Sequence, residues 1–243
     1  MTGQGTAPLL VHEPLVSNRI LFRLAVAVTV FALLTLGIGL ASSRIGSTIA
    51  LGGHTESTEL FRITIGQDTI ALPANAIRFA RQRASAPAER IDLYLAWPDM
   101  SGYSATQRQR FNDPGAAQEL LFMQLSQSTM SRDMSGRLDP IYSHLFDGAA
   151  EPGPHGLTLH RLRPDTGYRD EVMLTATRPG KADYVVRCVL PEDESHASNA
   201  DCQRDIQVGR DLSVLYRFSS LMLADWQRID ERVQSYFEAR LTP

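Results

Sequence analysis

The chain has 243 residues, of which 21% are charged and 43% hydrophobic, and its formal net charge is -3. These proportions exclude a disordered tail, a collagen-like repeat and a polytopic membrane protein, and the charge gives no reason to expect nucleic acid. All but one of the 24 basic side chains are arginines, the exception being Lys181, and their scatter along the chain reads as compositional bias.

Residues 1–18 form a short N-terminal stub, expected to be cytoplasmic. Leu24 to Ala41 then runs 18 residues without a charge. At 1.5 Å per residue such a helix is roughly 27 Å long, close to the hydrocarbon thickness of a bilayer. With Ile20, Leu21 and Phe22 included, and Arg23 snorkelling to the headgroups, the expected transmembrane helix is 19–41. Arg19 and Arg23 precede it and Arg44 follows, a bias that places the N-terminus inside and the larger part outside. Gly39-Leu40-Ala41 also offers the small residues of a signal-peptide cleavage site. The leader is long, however, and the run exceeds the usual h-region, which favours a retained anchor. Either outcome exports the same domain.

Residues 42–58 read as a juxtamembrane linker, with Gly52-Gly53 as helix stop and joint. Residues 59–243 read as one periplasmic α+β domain, mostly antiparallel, with a C-terminal amphipathic helix packed on the sheet. From Gly52 onward there are 21 basic against 26 acidic side chains, so this part is mildly acidic and is not drawn to anionic lipid.

Phe61, Ile63 and Ile65 alternate, and Gly66-Gln67-Asp68 predicts a turn into Thr69–Leu72. Ile91, Leu93, Leu95 and Trp97 alternate up to Pro98, which ends the strand. Glu119–Leu125 is apolar on both faces and reads as a central strand or a buried helical turn. Thr129 to Phe146 is expected to be helical in part, with Asp139-Pro140 as a helix start. Five strand-like runs follow, Leu157–Leu162, Glu171–Thr177, Asp183–Leu190, Asp201–Val208 and Leu212–Phe218. Their short connections predict an antiparallel meander. From about Ser220 to Arg240, Met222, Trp226, Ile229, Val233 and Tyr236 form one helical stripe facing a sheet.

Cys188 and Cys202 flank a polar stretch centred near Ser195. A hairpin with its tip there brings the sulfurs together, and in an oxidising periplasm they pair. No C-x-x-C motif suggests redox work.

Catalytic and ligand signatures are not found. The six histidines are dispersed, with no metal-ligand spacing, no phosphate-cradling glycine loop and no nucleophile elbow. No catalytic residue, metal, cofactor or small-molecule ligand is therefore expected. Two stretches carry local chemistry. Trp97-Pro98-Asp99-Met100-Ser101-Gly102-Tyr103 follows a strand and reads as a recognition rim or as packing over a sheet edge. Arg78, Arg81, Arg83 and Arg90, with Phe79 between them, read as a basic surface for an acidic partner or as a charged strand edge. Arg78, Arg81, Arg83, Trp97, Asp99 and Tyr103 are the candidate partner contacts.

Leu72-Pro73-Ala74-Asn75-Ala76-Ile77-Arg78, the Trp97–Tyr103 stretch, Cys202-Gln203-Arg204-Asp205-Ile206 and Tyr216-Arg217-Phe218-Ser219 occur in that order. Together they resemble a family of bacterial single-pass envelope proteins with no assigned activity. The resemblance implies an inner-membrane location and brings no catalytic residue with it. The function expected is a non-catalytic interaction or scaffold module, with another envelope protein as partner. The alternative is a membrane-anchored enzyme acting on glycan or peptidoglycan, with Asp99, Asp113 and Glu119 as its carboxylates.

Overall fold

A computed structural model describes residues 18–50, 53–113, 119–168 and 170–242. The chain divides into a unit ending at Ala50 and a unit beginning at Leu51. In the first, α1 covers Asn18–Ala50, and its Arg19–Leu36 window has a mean hydropathy of 2.0, long and apolar enough to cross a membrane. Thr29 and Thr35 donate their hydroxyls to the carbonyls of Ala25 and Phe31, at 2.9 and 2.8 Å, so their polar groups are satisfied within the helix. The stub readings for residues 1–17, the Gly39-Leu40-Ala41 reading, the Arg44 side chain and Gly52 lie outside the described residues.

In the second unit the alternating segments form two antiparallel sheets. The small one pairs β1 (Leu60–Ile65) with β2 (Asp68–Pro73), and β2 with the terminal β11 (Leu241–Thr242). The large one contains β3 (Arg90–Ala96), β4 (Leu120–Gln127), β5 (Phe146–Pro152), β6 (Thr158–Leu162), β7 (Val172–Ala176), β8 (Tyr184–Cys188), β9 (Cys202–Val208) and β10 (Leu212–Phe218). Its order is β3-β4-β10-β9-β8-β7-β6-β5. Strands β6 to β10 are therefore the expected five-stranded meander, β5 extends it beyond β6, and β3–β4 joins at its β10 edge. Glu119–Leu125 resolves as the strand reading.

One face of the large sheet makes the main core. Ile91, Leu93, Leu95, Leu121, Met123, Val214, Tyr216 and Phe218 meet Ile63, Ile65, Ile70 and Leu72 of the small sheet, and Ile229, Val233 and Phe237 of α3 (Trp226–Glu238). Burying each such side chain contributes roughly 1.5–3 kcal/mol. The predicted stripe is the buried face of α3, although Ser220–Asp225 precedes it as a 3-10 turn rather than as α-helix.

One clip ties the two sheets together and another fastens two strands of the large sheet. Asp68, only 8% exposed, accepts the backbone N–H groups of Arg210 and Asp211, while Asp211 accepts that of Gln67. The turn carrying Gly209 (φ +65°) passes so close that a Cβ there would lie 2.5 Å from Asp68 Oδ1. The expected disulfide, Cys188–Cys202, joins β8 to β9 where those residues face each other in register.

Of the partial helicity expected in 129–146, only one short turn forms. Residues 129–141 run as bends and turns, and only Tyr142–Leu145 closes as a 3-10 helix, so Asp139-Pro140 caps nothing. Tertiary burial overrides the local capping signal. Met134 and Tyr142 of this segment lie over Leu162, Met173 and Val185 on the opposite face of the large sheet.

Candidate functional site

On that opposite face the turn segment covers the β6–β8 side, while part of the β3–β4–β10 side stays open. Period-two alternation places Arg90, Asp92 and Tyr94 of β3, Phe122 and Gln124 of β4, and Leu215 and Arg217 of β10 on this face. The register sets them in two rows, Tyr94–Phe122–Arg217 and Asp92–Gln124–Leu215. With Phe79 at one rim and Ala200 at the other they line a groove of about 260 Å³. Tyr94 and Phe122 meet edge to face with ring centroids 4.3 Å apart.

Arginines surround this aromatic floor. The Arg78 guanidinium carbon lies 5.3 Å from the Tyr94 centroid and 5.5 Å from that of Phe79, and Arg81 lies 5.0 Å from Phe79 on the same rim. Arg90, with a side chain 51% exposed, holds Asp92 at 3.2 Å, and Asp92 also accepts from Gln82 Nε2 at 2.9 Å. Arg81 and Arg217 have no ion-pair partner among the described residues, so the groove carries excess positive charge. The rim at Ala200 ends the β8–β9 loop, fixed by the disulfide and by Asp201, whose carboxylate accepts from Ser198 and Ser220.

The predicted contact residues divide by burial. Arg78 and Arg81 stand at the groove. Arg83 instead turns inward and donates to the carbonyls of Gly53, Ile77 and Arg78, so it clips the start of the domain. Trp97 and Tyr103 are 7% and 1% exposed, and Trp97 Nε1 donates to Asp225 Oδ2 at 3.1 Å. They pack the interior and present no contact surface, while Asp99 is exposed at the turn between them.

Two of the recognised motifs meet here. Tyr103 N–H donates to Asn75 O and Asn75 Nδ2 donates to Tyr103 O, at 2.9 and 3.1 Å, and a Cβ on Gly102 would come within 2.7 Å of the Asn75 carbonyl carbon. The other two are paired strands, with Tyr216 opposite Arg204 and Phe218 opposite Cys202.

Beside Tyr94 of the groove floor, with ring centroids 6.1 Å apart, lies His54. It is 5% exposed, stacks on Tyr103 with centroids 4.8 Å apart, and meets Phe111 edge-on. Burial, with Arg78 and Arg83 nearby, pushes its pKa down to about 4, so the ring is neutral at pH 7. Residues 53–58, within the expected linker, run along the domain. Ser57 O and Glu59 O accept from Asn75 and Ala74, and Glu56 Oε1 accepts from Ala105 N–H at 2.7 Å.

A second cleft, of about 480 Å³, opens between α3 and the sheet where β8 and β9 diverge beyond Arg187 and Gln203. Its floor is a charge latch. Asp230, 3% exposed, accepts from Arg204 Nε and Tyr216 Oη, both at 2.8 Å, and from Arg178. Arg204, 2% exposed, also donates to Val185 O and Ser135 Oγ. Burial works against the Asp230 charge, yet Arg204, Tyr216 and Arg178 outweigh it and hold the carboxyl below its ordinary range. Lys181 and Glu231 pair at the rim. The cleft's strongest charges are thus committed to fastening the helix.

Neither cleft is lined by Asp99, Asp113 or Glu119, and Glu119 is paired with Arg110 at 2.6 Å. Among the described residues no group of three His, Cys, Asp or Glu side chains is placed to hold a metal ion. Sequence reasoning reached Arg78 and Arg81 but missed Tyr94, Phe122, Leu215 and Arg217. The available signal was Tyr94 on the polar side of an alternating strand.

No family model and no curated protein matches the chain. Among solved structures it is similar to Smlt3025, an immunity protein of the Stenotrophomonas maltophilia type IV secretion system. The identity is 17% and the TM-score 0.53, over 79% of this chain and 96% of that one. The Neisseria meningitidis iron-regulated outer membrane lipoprotein FrpD aligns over 77% of this chain and 96% of its own at 8% identity, with a TM-score of 0.42. The first likeness shows a shared fold.

Proposed function

We propose that the chain is a single-pass inner-membrane protein of the cell envelope, with its N-terminus cytoplasmic. Its periplasmic domain acts as a non-catalytic, protein-binding module. The observation that carries this reading is the open arginine and aromatic groove on the β3–β4–β10 side of the large sheet. Arginine and tyrosine are the residues enriched where proteins meet, because each combines broad contact area with directed polar groups. A fold shared with an immunity protein of a secretion system supports an interaction role. The apolar α1 and the disulfide support export into an oxidising compartment.

A reporter fused after Thr58, active only outside the cytoplasm, tests the placement, and activity of a cytoplasm-only reporter there overturns it. In-membrane crosslinking with mass spectrometry tests the role. The expected result is a discrete envelope partner, and recovery of only the protein itself or abundant bystanders counts against the reading.

A further inference from the structure

We infer that the β3–β4–β10 groove takes an acidic protein segment, with one apolar or aromatic side chain seated between Tyr94, Phe122 and Leu215, and flanking carboxylates on Arg81, Arg90 and Arg217. This rests on the protein-binding reading and names its partner's chemistry.

Size argues for a side chain rather than a free small molecule. The groove measures about 260 Å³, below the roughly 300–1,000 Å³ of small-molecule pockets. Its floor offers a half-buried edge-to-face aromatic pair, whose open edges favour another ring or a branched aliphatic group.

Charge selects the flanks. Three arginines, Arg81, Arg90 and Arg217, stand around a floor with one carboxylate, Asp92, whose Oδ2 is engaged by Arg90 and Gln82. Guanidinium groups bind carboxylates in paired hydrogen bonds, and Arg217 sits one register pair from Tyr94 across Phe122. The domain as a whole is acidic, with 21 basic against 26 acidic side chains from Gly52 onward, so the basic patch is local. A local patch on an acidic body steers an acidic segment into register, whereas a lipid surface meets the net charge of the whole body.

The test uses the full-length chain in nanodiscs of uncharged lipid. A phage-displayed library of 12-residue peptides is selected on it, and the enriched sequences are remeasured by fluorescence anisotropy as synthetic peptides. The expected peptides carry at least two acidic residues beside an aromatic or aliphatic one. Their affinity is expected to fall at least tenfold in the Arg81→Glu, Arg217→Glu double variant and to recover when their acids are changed to lysine. Both sites are on the surface, and an unchanged melting temperature verifies the fold. Enriched peptides that lack acids, or that bind the double variant equally well, overturn this inference and leave the protein-binding reading standing. No enrichment at all overturns both. Arginine-dependent binding to phosphatidylglycerol vesicles in place of peptides assigns the patch to lipid and overturns the inference.

Discussion

Replacing Asp230 with asparagine removes one charge from the α3 latch and almost no volume. In the native protein its carboxylate receives Arg204 Nε at 2.8 Å, Tyr216 Oη at 2.8 Å and the Arg178 guanidinium. Arg204 is 2% exposed, so water does not replace the lost partner, and the asparagine amide aims a donor at a guanidinium already rich in donors. Breaking a buried pair from one side costs about 3–5 kcal/mol. That is a large share of the roughly 5–15 kcal/mol that holds most domains together. For a domain of this size it corresponds to a fall of about 6–20 °C in melting temperature. Near-UV circular dichroism of the full-length protein, followed through heating, reads the change directly. Replacing both partners, Arg204→Met with Asp230→Leu, should cost less than the sum of the two single changes, because Arg204, the most deeply buried charge of the latch, is not left facing an empty site, and the loss of Asp230 is then felt only by Arg178 and Tyr216. A single variant losing under about 1 kcal/mol, or a double variant losing the sum of the two singles, refutes the latch.

Three further outcomes follow from the same geometry. Changing Cys188 and Cys202 to serine opens a loop of about 15 residues and should cost roughly 3 kcal/mol on loop-entropy grounds, measured as a lower urea midpoint. Stability should fall as pH drops from about 6.5 towards 4, because the unfolded chain protonates His54 while the folded chain keeps it neutral until about pH 4. A shift of that size is worth up to about 3 kcal/mol, and His54→Phe should flatten the melting curve's dependence over that window while keeping the stack on Tyr103. Gly102→Ala should destabilise by about 1–3 kcal/mol, since the Asn75 backbone cannot move away from the new methyl without losing its two bonds to Tyr103. A melting temperature within about a degree of wild type contradicts that contact.

Much of the fold was legible because burial is one-sided. Ile91, Leu93 and Leu95 alternate because one face of β3 is core, and the α3 stripe repeats because one face of the helix is core. The disulfide followed from the expected compartment and from Cys188 and Cys202 facing each other on adjacent strands. The segment 129–141 was misread because its signals are tertiary, as Met134 is buried against a distant strand rather than along a local period. Strand β5 passed unnoticed because Phe146–Pro152 is an edge with little buried surface and no alternation. The groove was least visible. Tyr94, Phe122 and Arg217 become neighbours only because β4 pairs with β10 across more than ninety intervening residues, and no local pattern encodes that pairing. Trp97 and Tyr103 carry the side-chain chemistry of a contact surface, yet the Trp97 indole donates to Asp225 and the Tyr103 ring stacks on His54 inside the protein.

The central claim is that the β3–β4–β10 groove is where this protein meets its partner. A photo-crosslinking residue placed at Leu215, in the groove, and separately at Gln234, on the rim of the other cleft, tests it in intact cells. The account predicts one discrete adduct from position 215, lost when Arg81 and Arg217 are changed to glutamate, and none from position 234. An adduct from position 215 that survives the charge reversal, or one from position 234 alone, contradicts it.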